Sequence, residues 1–597
     1  MADARYVVGI DLGTTNCVLA YVDTRQQAPG AEPPLPPALP NVLAVPQVIK
    51  PGVVEARAQL PSFAYQPAAN ELKPESVALP WGQPDHVVGT FARARGAEVP
   101  ARVVASAKSW LCAVDVDPSQ PILPWNAPAE VPRLSPVDAE AAYLRHLRAA
   151  WDASMPAPLA DQEVYLAVPA SFDAAAGDLT ARAAERAGLA GARLIEEPQA
   201  AFYAWLADSK GTWRDEVHVG DVVLVCDVGG GTTDLTLVAV GEEDGSLVLE
   251  RVAVGDHILL GGDNMDLTLA HAVRARLAES GTTLDDWQLR GLVHACRDAK
   301  ERLLAARAPE EAPVVVLGRS RKVVGGAVRT QVTRREVDAA LVDGFFPAAS
   351  RDERPRTSRR VGLQEIGLPY ASDPAITRHV AGFVSHHRDV APDGPSAVLF
   401  NGGVMHADRF RARMAEVLGS WRGDGAGVRV LAGTDPDLAV ARGAATYGLA
   451  RRGRGVRIRG GTVRAYYVGV ETAAPAVPGM TPPVKALCVA PFGMEEGSEA
   501  TLPEVEFGLV VGEPAAFRFF GSSVRPGDVP GTVVEGWREG ELEELPPLET
   551  TLGEAGDEHG PVRVRLEAQV TEVGTLARWC VARDGRRWKL EFNVRSR

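Results

Sequence analysis

Apolar and polar residues alternate along YVVGIDLGTTNCVLAYVD, Tyr6–Asp23, where one apolar run reaches Asp11, a Gly-Thr-Thr turn follows and a second alternating run leaves it. Alternation with a period of two on both sides of a short glycine-bearing turn predicts a β-hairpin. The segment VLVCDVGGGTTDLTLVAV, Val223–Val240, repeats this logic 216 residues later, with Asp227 in the place of Asp11. Two lobes of related design are therefore expected. Helical periodicity at Val137–Trp151 and Ala174–Ala187 flanks the strand-like EVYLAVP, and a charged helical pattern spans Leu284 to Arg307. Strands alternating with helices predict an α/β class.

The stretch from Gln26 to Pro84 is rich in proline and reads as irregular connections and short edge strands. A basic stretch, Arg351–Arg360, reads as a solvated loop. Beyond residue 455 the pattern changes to short β-type runs such as VRAYYVGVE, VRVRLEAQV and RRWKLEFNV, separated by Pro, Gly and Glu. The expected division is an N-terminal domain of residues 1–455 and a β-rich domain of residues 456–597. Within the first, one lobe is expected from about 1–190 plus 396–455 and the other from about 191–395.

Composition narrows the function classes. The chain has 597 residues and a formal charge of -14. That balance disfavours a nucleic-acid partner, which demands a basic face. No apolar run approaches the roughly 18 residues of a membrane span, and the N-terminus lacks the pattern of a signal peptide. A soluble cytoplasmic protein, with no membrane partner, is the expectation. The six cysteines are scattered without a Cys-x-x-Cys pair, so neither a zinc ribbon nor a disulfide framework is suggested. His379, His386 and His387 share a helical pattern without carboxylates or cysteines beside them and read as solvated histidines. Only eight of the 63 basic residues are lysines, which makes Lys108 and Lys300 conspicuous.

Phosphate chains are held by backbone amides, and glycine lets the main chain approach them without a Cβ in the way. Gly13, Thr14, Thr15 and Asn16 in one turn, with Gly229, Gly230, Gly231 and Thr232 in the other, would form two cradles. Each strand carries a carboxylate beside its turn, Asp11 or Asp227, suited to a hydrated Mg²⁺ ion. The combination reads as a nucleoside triphosphate clamp.

IDLGTTN, LIEEPQAA, CDVGGGTTD, LGGDNMD and FNGGV, in this order and spacing, closely resemble the nucleotide-binding domain of the DnaK-type 70-kDa heat-shock chaperones, over roughly residues 5–450. The resemblance implies a two-lobed actin-like ATPase domain with duplicated β-hairpin phosphate cradles, followed by a β-rich, sandwich-like domain. It implies ATP hydrolysis to ADP and phosphate with Mg²⁺, coupled to holding a polypeptide client or protein partner, with J-domain or nucleotide-exchange co-chaperones. By position, Thr14, Thr15 and Asn16 would hold the β and γ phosphates with Gly229, Gly230 and Gly231, and Asp11 and Asp227 would hold magnesium through water. Thr232 would lie beside the γ phosphate, Glu197 and Asp234 would orient the attacking water, and Lys108 would place a positive charge against it. Lys300, Gly402, Gly403 and Asp437 match the nucleoside side. The alternative is a nucleotide-sensing scaffold or assembly protein with negligible turnover.

The same resemblance marks departures. Arg297 stands where the family has glutamate, Glu301 where it has a basic residue, Leu304 and Val404 where it has serine, and His406 where it has arginine. Losing cation stacking on the purine implies weaker ATP binding, since each such contact contributes about 0.5–2 kcal/mol. Pro169 matches the proline of the interdomain relay, but Gly177 replaces an arginine, and RRGRGVRIRGG stands where an acidic, leucine-rich linker is expected. The C-terminal segment resembles a reduced substrate-binding domain without a helical lid, carried mainly by YYVGVET and VRLEAQVTEVGTL.

Overall fold

The structure is a computed structural model. It describes residues 4–25, 39–113, 116–172, 174–243, 246–255, 258–318, 327–356, 368, 370–423, 425–433, 435–454, 458, 464–472, 483–491, 494, 498–500, 502, 506–511, 514–522, 524–525, 527–538, 541–551, 562–570 and 575–593. Most of RRGRGVRIRGG, residues 357–360 of the basic stretch and residues 571–574 of the C-terminal motif lie outside them. The chain divides into two compact units, Met1–Arg457 and Ile458–Arg597.

The first unit contains two sheets of matching design. Strands β1 (Tyr6–Leu12) and β2 (Asn16–Asp23) form the antiparallel hairpin read from the alternation. On the other edge of β1 lie two parallel strands, β3 (Glu163–Val168) and then β4 (Arg193–Glu196). All six residues of β3 are buried, as a parallel strand covered on both faces requires. Helix α1 (Thr90–Glu98), helix α2 (Pro136–Ser154) and helix α3 (Glu197–Asp208) belong to this half. Ser135 caps α2 by accepting from the Asp138 amide at 3.0 Å, and Pro136 occupies the first turn, where its missing N–H costs nothing.

The second sheet repeats the plan. Strands β5 (Val222–Val228) and β6 (Thr233–Glu243) form the hairpin, β7 (Ser246–Val254) extends it antiparallel to β6, and β8 (Ala397–Asn401) lies parallel to β5. Helices α4 (Gly262–Glu279) and α5 (Asp286–Leu304) pack against each other and pack into the core of this half, where Met265, Leu269, Val273, Leu292 and Cys296 meet Leu224, Cys226 and Leu237. Strand pairing corrects the expected lobe boundaries. Residues 193–196 pair with β3 and so extend the first sheet, whereas residues 397–401 and 429–430 belong to the second. The turn of FNGGV therefore comes from the second lobe. Helix α6 (Ala439–Arg451) returns to the first sheet, packing on β1 and α3.

That return depends on small residues. A Cβ at Gly443 would overlap the Ala200 carbonyl, and one at Gly9 would overlap the Ala441 carbonyl. The two helices approach backbone to backbone, which fixes the N-terminus of α3 and hence Glu197.

In the second unit every strand pairing among the described residues is antiparallel. Residues 465–471, 484–490, 514–522, 533–534 and 543–551 form one sheet, and 499–500, 507–509, 562–570, 575–582 and 587–593 the other. Tyr466, Val468, Leu487 and Phe519 share one core with Val562, Val564, Leu566 and Ala582, so the sheets stack as a sandwich. No helix among the described residues is long and apolar enough to cross a membrane.

Candidate nucleotide site

The two hairpin turns are built alike. Gly13 donates its amide to the Asn16 carbonyl at 3.1 Å, and Gly229 donates to the Thr232 carbonyl at 2.9 Å. The turns face each other: a Cβ on Gly230 would collide with the Thr15 hydroxyl, and one on Gly231 would come within 2.5 Å of Ser109 Oγ. Glycine is required here by closeness of approach. The second turn also meets the start of α4, whose Gly262 and Asp263 amides donate to the Gly229 and Gly230 carbonyls at 3.0 and 2.7 Å.

A cavity of about 580 Å³ opens between the sheets. Its walls bring together Asp11, Gly13, Thr14, Thr15, Asn16, Lys108, Glu197, Asp227, Gly229, Gly230, Thr232, Lys300, Gly402, Gly403 and Asp437. Pro169 is part of this wall, whereas Gly231 and Asp234 are not. Asp234 pairs across the hairpin with Asp227 and accepts from the Ser171 hydroxyl at 2.6 Å.

The deep end carries a concentration of carboxylates. Burial raises Asp11 to about 7, with the Glu197 charge adding to the effect and Lys108 opposing it. Burial likewise raises Asp227, helped by Glu197 and Asp234 and opposed by the hydrogen bond from Asn401 Nδ2 at 2.6 Å. Glu197, the first residue of α3, is raised by burial and forms an ion pair with Lys108. Lys108 is 3% exposed, and its neighbouring carboxylates overcome desolvation to hold it charged. One lysine against Asp11, Glu197, Asp227 and Asp234 leaves negative charge crowded in a poorly solvated space. An all-oxygen donor set of this kind fits a hydrated divalent cation, which would offset the crowded negative charge.

The outer end differs. Arg297 binds Asp263 and Asp266 at 2.6 Å each, and Lys300 binds Asp266 at 2.6 Å. Glu301 meets Arg93 of α1 at 3.3 Å, bridging the two halves, and Ser106 Oγ donates to Asp263 at 2.6 Å. His406 Nε2 lies 3.1 Å from Asp437, and this hydrogen bond raises the imidazole pKa. Together with Asp435 these residues form a second donor set, with ligand atoms within 4.8 Å of one another, at the exposed rim. Gly402 adopts φ +85°, and a Cβ there would sit 2.5 Å from Asp227 Oδ1. Sequence reasoning did not single out Asn401, Ser171, Arg93, Asp263 or Asp266. Asn401, Asp263 and Asp266 lie within the quoted FNGGV and LGGDNMD, so the motifs held the signal. His379, read as solvated, shares a 2.9 Å hydrogen bond with the Asp373 carbonyl.

Residues 79–346 match the Hsp70 protein family. Chaperone protein HscA of Enterobacter sp. (strain 638) is 31% identical over 316 residues, covering 51% of this chain and 43% of that protein. The HscA of Salmonella paratyphi C is 31% identical over 280 residues, covering 45% and 38% respectively. The HscA homolog of Pseudomonas fluorescens is 28% identical over 450 residues, covering 74% and 57%. The chain thus spans about two-fifths to under three-fifths of the length of these relatives.

Proposed function

We propose, from the premise that this chain is an Hsp70-type family member, that it binds ATP with Mg²⁺ in the cavity between its two sheets and hydrolyses it to ADP and phosphate. The observation that supports this reading best is the meeting of the two equivalent turns with Lys108, Glu197, Asp11 and Asp227 in one buried pocket. Thr14, Thr15, Asn16 and the amides of Gly229, Gly230 and Gly231 hold the phosphates, and Asp11 and Asp227 hold the metal through water. Bound there, Mg²⁺ neutralises phosphate charge. Lys108 sets a fixed positive charge beside the terminal phosphate, Thr232 contacts that phosphate, and Glu197 and Asp234 orient the attacking water. Positioning and charge neutralisation supply most of the catalysis of phosphoryl transfer, so these buried groups suffice without covalent chemistry. Lys300, Gly402, Gly403 and Asp437 receive the nucleoside.

HscA is named a chaperone, and by that likeness the nucleotide cycle of this chain serves the holding of an unfolded polypeptide or protein partner, with the sandwich of the second unit as the holding module and a J-domain or exchange protein as helper. Steady-state ATP hydrolysis by the full chain, compared with Lys108→Ala and Thr232→Ala, tests the enzymatic part. A wild type no faster than either variant contradicts it and favours the second reading, a nucleotide-sensing scaffold. That reading draws on the outer end of the cavity, where charged side chains already pair with one another.

A further inference from the structure

Helix α2 turns Val137, Tyr143, Leu144, Leu147 and Trp151 inward, and Glu140 occupies the same stripe, one turn after Val137 and one before Tyr143 and Leu144. It is 0% exposed. Neither of its carboxyl oxygens has a hydrogen-bond partner among the described residues, and the Tyr143 hydroxyl has none either. An ionised carboxylate in such a place is strongly disfavoured, so the group keeps its proton well above the usual range. Burial raises it to about 8, with the Lys108 ammonium as the opposing influence.

The neighbours link this acid to Lys108 and to the strand that leaves the first turn. Helix α2 packs against the short helix Ala107–Cys112 that carries Lys108, and Lys108 interacts electrostatically with Glu197, Asp11 and Glu140. From β2 comes Cys17, which interacts with Glu140, Asp11 and Lys108. Its sulfur lies 3.2 Å from Ser62 Oγ, which donates to the Gly13 carbonyl at 2.6 Å. Burial pushes the Cys17 thiol and the Tyr143 phenol well up, so neither ionises where Glu140 does. Lys108 is the one cation facing Glu140 among these described neighbours.

We propose that Glu140 is a buried proton-binding site that senses occupancy of the phosphate turn through Lys108. The inference rests on the reading that this turn holds phosphate. With the cradle empty, the Lys108 charge is shared among Glu197, Asp11 and Glu140 and supports the ionised form of each. Bound polyphosphate engages that charge and adds negative charge of its own. Glu140 then binds a proton from bulk solvent, forming one carboxyl O–H bond, and no other bond changes. Linkage is reciprocal, so protonation of Glu140 strengthens polyphosphate binding, and affinity falls as pH rises through about 8.

Two measurements on the full chain test this. Calorimetric titration with a non-hydrolysable ATP analogue and Mg²⁺ at pH 8, in buffers of contrasting ionisation enthalpy, is expected to give an uptake in the wild type that exceeds that of Glu140→Gln by up to about half a proton per nucleotide. Glutamine keeps the shape without the titration. Equal uptake in both proteins overturns the proposal. Infrared difference titration of the nucleotide-free protein between pH 7 and 9 is independent of the nucleotide reading. A protonated-carboxyl band lost in the wild type and absent from Glu140→Gln supports the proton site even where the ATP analogue fails to bind, a failure that would count against the nucleotide reading instead. Identical spectra in the two proteins overturn it.

Discussion

The two ends of the cavity use charge in opposite ways. At the deep end Asp227 is buried and Asp11 and Glu197 half-buried, and these mutually repelling carboxylates are answered by Lys108, so the arrangement suits an added cation. At the outer end Arg297, Lys300, Glu301 and His406 are each matched by a side chain of opposite charge. A site poised for ligand holds its polar groups short of partners, whereas self-paired groups must give up partners before they contribute. Binding energy is therefore expected to reside in the phosphate half.

The largest effect should come from removing Lys108, the cation paired with Glu197 at the deep end. Lys108→Ala is expected to lower the ATP turnover number by about 10²–10³-fold, the range for losing one preorganised charge donor, read from steady-state kinetics. A drop of less than tenfold would erase the contrast between the ends. Arg297→Ala instead leaves Asp266 to Lys300 and Asp263 to Ser106, each short of a partner, and should cost about 2 kcal/mol of stability in urea unfolding. A loss confined to ADP affinity, with stability intact, would mean that Arg297 serves ligand and not fold.

The ends should also differ in pH response. His294, on the same helix as Arg297, is lowered to about 4 by burial and by that arginine. As pH falls below about 6.5 the unfolded chain binds a proton that the folded chain refuses, so stability is lost between about 6.5 and 4, by roughly 2 kcal/mol after allowance for partial exposure. His294→Gln should flatten this decline in thermal melts. Glu140 works in the other direction: its folded pKa is raised, so its stabilising contribution is complete below about 4.5 and is lost as pH rises to about 8. The smallest effect is expected at His406. Its ion pair with Asp437 is half exposed and is lost as pH rises through its raised pKa, so His406→Ala should change ADP affinity threefold or less by calorimetry.

The same contrast explains how far the sequence could be read. The two glycine turns beside Asp11 and Asp227 were legible because turns whose backbones come this close admit few residues besides glycine. The β-rich character of the second unit was legible as short β-type runs, whereas its sandwich form was implied only by the family resemblance. The lobe boundaries were not, because alternation reveals a strand but not its neighbour, and residues 193–196 and 397–401 are assigned only by pairing. The partners of Arg297 were hidden for a related reason: among 55 arginines, which one meets Asp266 depends on where α5 packs against α4. Glu140 was illegible because its helical stripe is otherwise apolar and its surroundings come from β2 and the Lys108 helix.

The claim that the phosphate half carries the binding energy is tested most directly by calorimetric comparison of adenosine with ADP, both with Mg²⁺ and the full chain at neutral pH. The expected result is that adenosine binds at least about 100-fold more weakly than ADP, a difference of about 2.7 kcal/mol. Adenosine binding within a few-fold of ADP would contradict the account.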